Sequence, residues 1–222
     1  MKLNPLIVAL DVENAKLAKA WVKRLSPEVV FYKVGLRLFI QEGPSFIKWL
    51  KGQGLKVFLD LKLHDIPNTV AQAVESALKL QVDLLSVHAL GGEEMMRAAV
   101  KAAQKKTQIF AVTVLTSCSE IKSIGVKDSI RQQVQRLTAL AAQAKVNGII
   151  CSPQEIKWVK EIVEKRQKIL TPGIRPEGAN LHDQKRVASP RQALKEGANY
   201  LVMGRPILEA EDPGELIRGL FG

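Results

Sequence analysis

The stretch "FLDLKLHDIPNT", residues 58–69, opens as a buried strand and then sets Asp60, Lys62, His64 and Asp65 where an apolar run should continue. Side chains alternate along a strand, so Asp60 and Lys62 fall on one face, one step of the period-two pattern apart. "IPNT" then leads toward a helix, with Pro67 near its start, where a missing N–H costs little. A strand that ends in charge and hands over to a helix is one unit of an α/β fold.

Working outward, the same unit recurs along the chain. Apolar runs stand at 5–11 ("PLIVALD"), 29–35 ("VVFYKVG"), 56–62 ("KVFLDLK"), 84–90 ("LLSVHAL"), 109–115 ("IFAVTVL"), 148–152 ("GIICS"), 168–173 ("KILTPG") and 200–205 ("YLVMGR"), giving eight candidate strands. Each is nearly continuous and rich in Val, Ile, Leu or Phe, as strands covered on both faces are. Between them, "NAKLAKAWVKRL", "AQAVESALKL", "EEMMRAAVKAAQ" and "IRQQVQRLTALAAQA" carry apolar residues at the spacing of amphipathic helices. Pro67, Pro153 and Pro213 mark helix starts, and "KEGAN" and "KGQG" mark glycine-terminated ends.

Eight such units in 222 residues, without a break in composition, predict one (β/α)8 TIM barrel, a single domain over residues 1–222. An open doubly wound sheet is the alternative. It normally uses fewer strands, and its dinucleotide-binding form needs G-x-G-x-x-G after the first strand, where this chain has "DVENAK". The segment "TPGIRPEGANLHDQKRVASP", 171–190, breaks the rhythm with three prolines and two glycines. It reads either as a lid or as a surface insertion.

Composition narrows the class. Hydrophobic residues at 46% and charged residues at 25% describe a globular chain rather than a disordered one. "MKLNPLIVALD" lacks a cleavage pattern, and no run approaches the ~18 apolar residues of a membrane span, so a cytoplasmic protein with no membrane partner is expected. Cys118 and Cys151 are isolated, which fits inert thiols in a reducing compartment. The net charge of +11 is spread in twos and threes, without a like-charge block or aromatic-interleaved patch, so no nucleic-acid partner is expected and a local anion site stays open.

In a parallel barrel the C-terminal strand ends converge on one mouth. Asp11, Lys33, Asp60, Lys62, Asp65, His88, Thr116, Ser117, Arg175 and Arg205 stand there. Asp60, Lys62 and Lys33 fit either a structural salt-bridge array or a reactive one, although their number, with Asp11 and Asp65, exceeds what closing a barrel requires. Asp65 and Thr69 also fit a helix cap and a first-turn residue. His64 and His88 fit backbone hydrogen bonds better than an acid–base pair, and no zinc-binding spacing occurs. "VMGRP", 202–206, places Gly204 and Arg205 after the eighth strand, a common phosphate position of such barrels, with a surface ion pair as the alternative for Arg205.

Taken together, "ALD" at 9–11, "FYKVG" at 31–35, "FLDLKLHDIPNT" at 58–69, "SVHALGG" at 86–92, "AVTVLTS" at 111–117, "TPGIRP" at 171–176 and "MGRP" at 203–206 resemble the orotidine 5'-phosphate decarboxylase family, of the bacterial short-chain type. The resemblance implies decarboxylation of orotidine 5'-phosphate to UMP without cofactor or metal, by a homodimeric barrel with shared active sites. It further implies that Asp11 and Lys33 contact the ribose, Asp60 lies against the substrate carboxylate, and Lys62 donates the proton. Asp65 and Thr69 would reach into the partner's site, Thr116 and Ser117 would face the pyrimidine, and Arg175, Gln184, Gly204 and Arg205 would bind phosphate, with a phosphate-closing loop at 174–188. Two rivals remain: a magnesium-dependent sugar-phosphate enzyme on the same barrel, and a nucleic-acid-binding barrel with a vestigial site.

Overall fold

Each of the eight apolar runs coincides with a strand, and the third and fifth strands each extend one residue beyond the run. The computed structural model describes residues 5–118, 120–122, 125–176 and 188–221. The strands are β1 (Leu6–Ala9), β2 (Phe31–Gly35), β3 (Lys56–Leu63), β4 (Leu84–His88), β5 (Gln108–Val112), β6 (Gly148–Ile150), β7 (Lys168–Thr171) and β8 (Tyr200–Met203). All pair in parallel with their neighbours in sequence, and β8 closes on β1 through Leu6–Leu201, Ile7–Val202 and Val8–Met203. That closure decides between the two architectures: the sheet is a (β/α)8 barrel.

Outside it lie α1 (Ala15–Leu25), α2 (Leu36–Gly52), α3 (Pro67–Leu78), α4 (Gly92–Ala102), α5 (Ile130–Gln143), α6 (Ile156–Lys160), α7 (Pro190–Glu196), α8 (Arg205–Leu208) and α9 (Pro213–Leu220). Their ends follow local chemistry. The Asn14 side chain accepts the Leu17 N–H at 3.0 Å to start α1, Ser129 and Gln132 form a reciprocal capping box at α5, and Asp212 caps α9. In α1 the buried residues Ala18, Val22 and Leu25 form the stripe facing the barrel. α2 is broken in the middle, where Gly43 takes a φ of 61° that favours glycine and Pro44 removes a helical N–H donor.

The core has two layers. Val8, Leu59, Leu85 and Ile149 point outward against the helices, while Ile7, Phe31, Phe58, Leu84 and Phe110 fill the barrel. Following the inward rows toward the C-terminal ends explains where the polar residues gather. On β1 and beyond, the row runs Ile7, Ala9, Asp11; on β2, Phe31, Lys33, Gly35; on β3, Phe58 then Asp60. Each row is apolar in the body of the barrel and charged or small at its mouth. Burying each large apolar side chain contributes about 1.5–3 kcal/mol, which lets the same rows carry costly charges at their tips.

Candidate active site

The inward rows end in a cavity of about 220 Å³. Phe58, Ile150, Leu170 and Val202 supply its apolar surface, and Asp11, Lys33, Asp60, Lys62, Thr116, Arg175, Gly204 and Arg205 its polar one. Eight residues singled out from sequence are thus brought to one place.

Four of them form a row of alternating charge. Lys33 Nζ stands 3.0 Å from Asp11 Oδ1 and 3.6 Å from Asp60 Oδ2, and Lys62 Nζ donates to Asp60 Oδ1 at 2.9 Å. Asp60 and Lys33 are almost wholly buried, whereas Lys62 keeps about a third of its side chain open. Burial alone would push the Asp60 carboxyl up, but the Lys33 and Lys62 ammonium groups and hydrogen bonds from Lys62 and Ser86 outweigh it and hold the carboxyl below its ordinary range. Burial would likewise lower Lys33, and Asp60 and Asp11 reverse that, holding the ammonium above its ordinary range. Both groups therefore stay ionised. The row is neutral as a unit, so Arg175 and Arg205 leave the described lining with a positive balance suited to an anion.

Lys62 does not reach Asp60 along a regular pleat. The β3–β4 pairing runs Phe58–Leu84 and Leu59–Leu85, then shifts register before Leu63–Val87, and Lys62 takes a φ of 50°. This irregularity turns the lysine back over the strand end. Its backbone N–H donates to the Ser86 hydroxyl at 2.8 Å, and that hydroxyl donates to Asp60 Oδ1 at 2.9 Å. Close approach elsewhere is set by Gly35, where a Cβ would stand 2.9 Å from Lys33 Nζ and 3.3 Å from Asp11 Oδ1.

The remaining candidates separate cleanly. Asp65, Thr69 and Ser117 are exposed and do not line the cavity. Asp65 is not the helix cap: Ile66 is the N-cap of α3, and the Asp65 carboxylate accepts only the adjacent Ile66 N–H, at 2.7 Å, among its described hydrogen bonds. Gln184 lies outside the described residues. Arg175 is buried at the base of the 174–188 segment, where its backbone N–H donates to Ala188 O at 3.0 Å and Ile174 bridges to Ala188. His64 and His88 stack with ring centroids 5.5 Å apart, and His88 Nδ1 accepts the Leu90 N–H at 3.3 Å. Burial, His64 and Lys62 together lower the His88 pKa. Neither ring lines the cavity, and His88 makes the backbone bond expected of it. Among the described residues no group of His, Cys, Asp or Glu has the arrangement of a metal site.

A family model described as orotidine 5'-phosphate decarboxylase / HUMPS family matches residues 4–220. The chain belongs to this family. It is 46% identical over 213 residues to the orotidine 5'-phosphate decarboxylase of Saccharophagus degradans, covering 94% of this chain and 90% of that one. It is 44% identical over 225 residues to the orotidine 5'-phosphate decarboxylase of Nitrosococcus oceani, covering 99% and 97%. Among solved structures, that of orotidine 5'-phosphate decarboxylase from Lactobacillus acidophilus superposes with a TM-score of 0.88 at 36% identity, covering 98% of this chain and 97% of that one.

Two features of this family member escape a reading of sequence. Ser86 sits in an apolar run where a lone serine is unremarkable, although its position two residues beyond inward-facing Leu84 places it on the inner row. Gly35 looks like an ordinary strand end until the neighbouring ammonium is placed.

Proposed function

We propose that the chain decarboxylates orotidine 5'-phosphate to UMP, a step of de novo pyrimidine synthesis, with Lys62 as proton donor and without a metal or organic cofactor. The observation that carries this reading is the Asp60 carboxylate held ionised between two ammonium groups, one of which remains partly open to the cavity. Ring order supports it: β7 and β8 are followed around the barrel by β1, β2 and β3. Arg175, Gly204 and Arg205 after β7 and β8, Asp11 and Lys33 at β1 and β2, and Asp60 and Lys62 on β3 thus follow the sequence phosphate, ribose, base of a nucleotide.

Breaking the bond between C6 and the carboxylate leaves an electron pair on C6 with no carbonyl positioned to spread it. The Lys62 ammonium stabilises that pair through space and then transfers a proton to it, leaving a neutral amine that regains its proton from water. Asp60 lies against the departing carboxylate and adds repulsion that vanishes as neutral CO₂ leaves. Thr116, on the cavity wall, faces the pyrimidine, and the role given to Ser117 requires it to turn inward from its exposed position. Arg175, Gly204 and Arg205, with Gln184 on the segment 174–188, bind phosphate, and binding there closes that loop so that remote contacts contribute to turnover.

The enzyme works as a homodimer in which Asp65 and Thr69 complete the partner's site. Support comes from the rim: Leu36, Ile66, Leu90 and Leu115 follow four consecutive strands and are exposed, Ile66 at 65%, and Ile40 one turn along α2 is 79% exposed. Apolar residues grouped at one end of a barrel suit a second copy of the chain. None of the described helices is long and apolar enough to cross a membrane; a cytoplasmic location is part of the same proposal. Loss of orotidine 5'-phosphate absorbance in the presence of a chelator tests substrate, reaction and cofactor independence together. Lys62→Ala should nearly abolish that loss in a folded protein; near-normal turnover would remove Lys62 from its role.

A further inference from the structure

Ser86 is wholly buried on β4, one inward step beyond Leu84, and none of the roles above uses it. Its hydroxyl makes two contacts of opposite sense, accepting the Lys62 backbone N–H at 2.8 Å and donating to Asp60 Oδ1 at 2.9 Å. Lys62 Nζ donates to the same Oδ1 at 2.9 Å. The three residues therefore close a ring that leaves the Lys62 main chain, passes through Ser86 and Asp60, and returns to the Lys62 ammonium.

The ring sits where β3 needs it. Lys62 stands in the shifted stretch of the β3–β4 pairing with a φ of 50°, a backbone region that lysine rarely occupies and that persists only when surroundings enforce it. The Ser86 oxygen meets the Lys62 N–H inside that stretch, and its proton fixes one lone pair of the oxygen that also receives the ammonium. We propose that Ser86 is a positioning residue that holds both ends of Lys62, its left-handed backbone and its Asp60-bound ammonium, in the register needed for proton delivery. This rests on Lys62 being the proton donor.

Residue chemistry makes the idea specific. One small atom must accept and donate at once; alanine does neither, a thiol does both weakly, and threonine keeps the hydroxyl while adding a methyl group. The test compares Ser86→Ala, Ser86→Cys, Ser86→Thr and Lys62→Ala for folding by circular dichroism, and for kcat, KM and pH dependence with orotidine 5'-phosphate. Ser86→Ala and Ser86→Cys should fold and lose about 10- to 100-fold in kcat with KM changed by less than about threefold. Ser86→Thr should recover most of the loss despite its larger volume. The acidic limb of kcat should move to higher pH in Ser86→Ala, because Asp60, still faced by Lys33 and Lys62 with Asp11 beyond Lys33, has lost a donor to its charge.

Equal losses in Ser86→Thr and Ser86→Ala would make the effect one of packing and overturn the proposal, as would an unmoved acidic limb. Should Ser86→Ala fail to fold, Ser86→Cys carries the same comparison. The two levels separate cleanly. An inactive Lys62→Ala beside a Ser86→Ala within about twofold of the parent sinks only the role of Ser86. A Lys62→Ala enzyme that still turns over sinks the proton-donor reading itself.

Discussion

Replacing Lys33 by methionine keeps an unbranched side chain of similar length and removes the charge at the centre of the row. The ammonium lies 3.6 Å from Asp60 Oδ2 and 3.0 Å from Asp11 Oδ1. At an effective dielectric near 20, the contact with Asp60 is worth about 4–5 kcal/mol before solvation is counted. Removing the ammonium also removes its own desolvation cost, and Asp60 keeps Lys62 and Ser86, so the net destabilisation is about 2–3 kcal/mol. The Asp11 contact adds little, since that carboxylate is more than half exposed. The loss should follow pH in a defined way. Asp60 is held low in the native state, so its share of stability is present above the unfolded pKa of about 3.9 and disappears as pH falls through the native value. Lys33 is held high, so its share is present below the unfolded pKa of about 10.4 and disappears as pH rises through the native value. Urea unfolding of parent and variant across pH should give a difference that is flat in between and shrinks on both flanks. A neutral-pH difference under about 0.5 kcal/mol, or one that stays constant into acid, would refute the account of the row as a coupled buried array.

Gly35→Ala tests the same row without altering a charge. Its backbone is extended, with φ at −92°, so alanine brings no conformational strain, and any effect must come from the Cβ meeting Lys33 Nζ at 2.9 Å. Turnover should fall by about tenfold while the melting temperature drops only a few degrees, and unchanged turnover would show that the lysine tip moves aside at no cost. Mixing inactive Asp65→Ala and Lys62→Ala chains should restore activity, because one of the two sites in a mixed dimer then has both residues. Complete inactivity after proven subunit exchange would contradict a shared site.

Chain periodicity carried the architecture because every strand here is buried on both faces. β6, only Gly148–Ile150, was still announced by "GIICS". Reading the polar residues at the C-terminal strand ends found the row of charge, and the folded barrel shows why, since Asp11, Lys33 and Asp60 continue inward rows that begin with Ile7, Phe31 and Phe58. Periodicity reached Lys62 by an argument that does not describe the geometry: simple alternation put the lysine beside Asp60, whereas a register shift and a left-handed residue bring it there. Nothing in "LDLKL" encodes that shift, because it depends on which β4 residue stands opposite, and Ser86 is a partner known only once the strands are paired. The break in α2 falls at the adjacent Gly43 and Pro44, whose backbone chemistry accounts for it. Asp65 and Thr69 show the converse limit. Ile66 as the N-cap of α3 removes the capping explanation for Asp65, and the exposure of both residues in a single chain does not supply the contact that would replace it.

The pairing of β8 with β1 joins residues nearly the whole chain apart, such as Leu6 and Leu201. Under the proposed roles, the groups that recognise phosphate come from the end of the chain and those that perform the chemistry from its first third. Closing so long a loop is entropically slow and comes with the completed barrel rather than with any early fragment. A nascent chain emerging from the ribosome would therefore possess its aspartates and lysines long before it could hold a nucleotide against them. The reactive charges stay without a substrate until the last strand has docked, so catalytic competence and completion of folding become a single event.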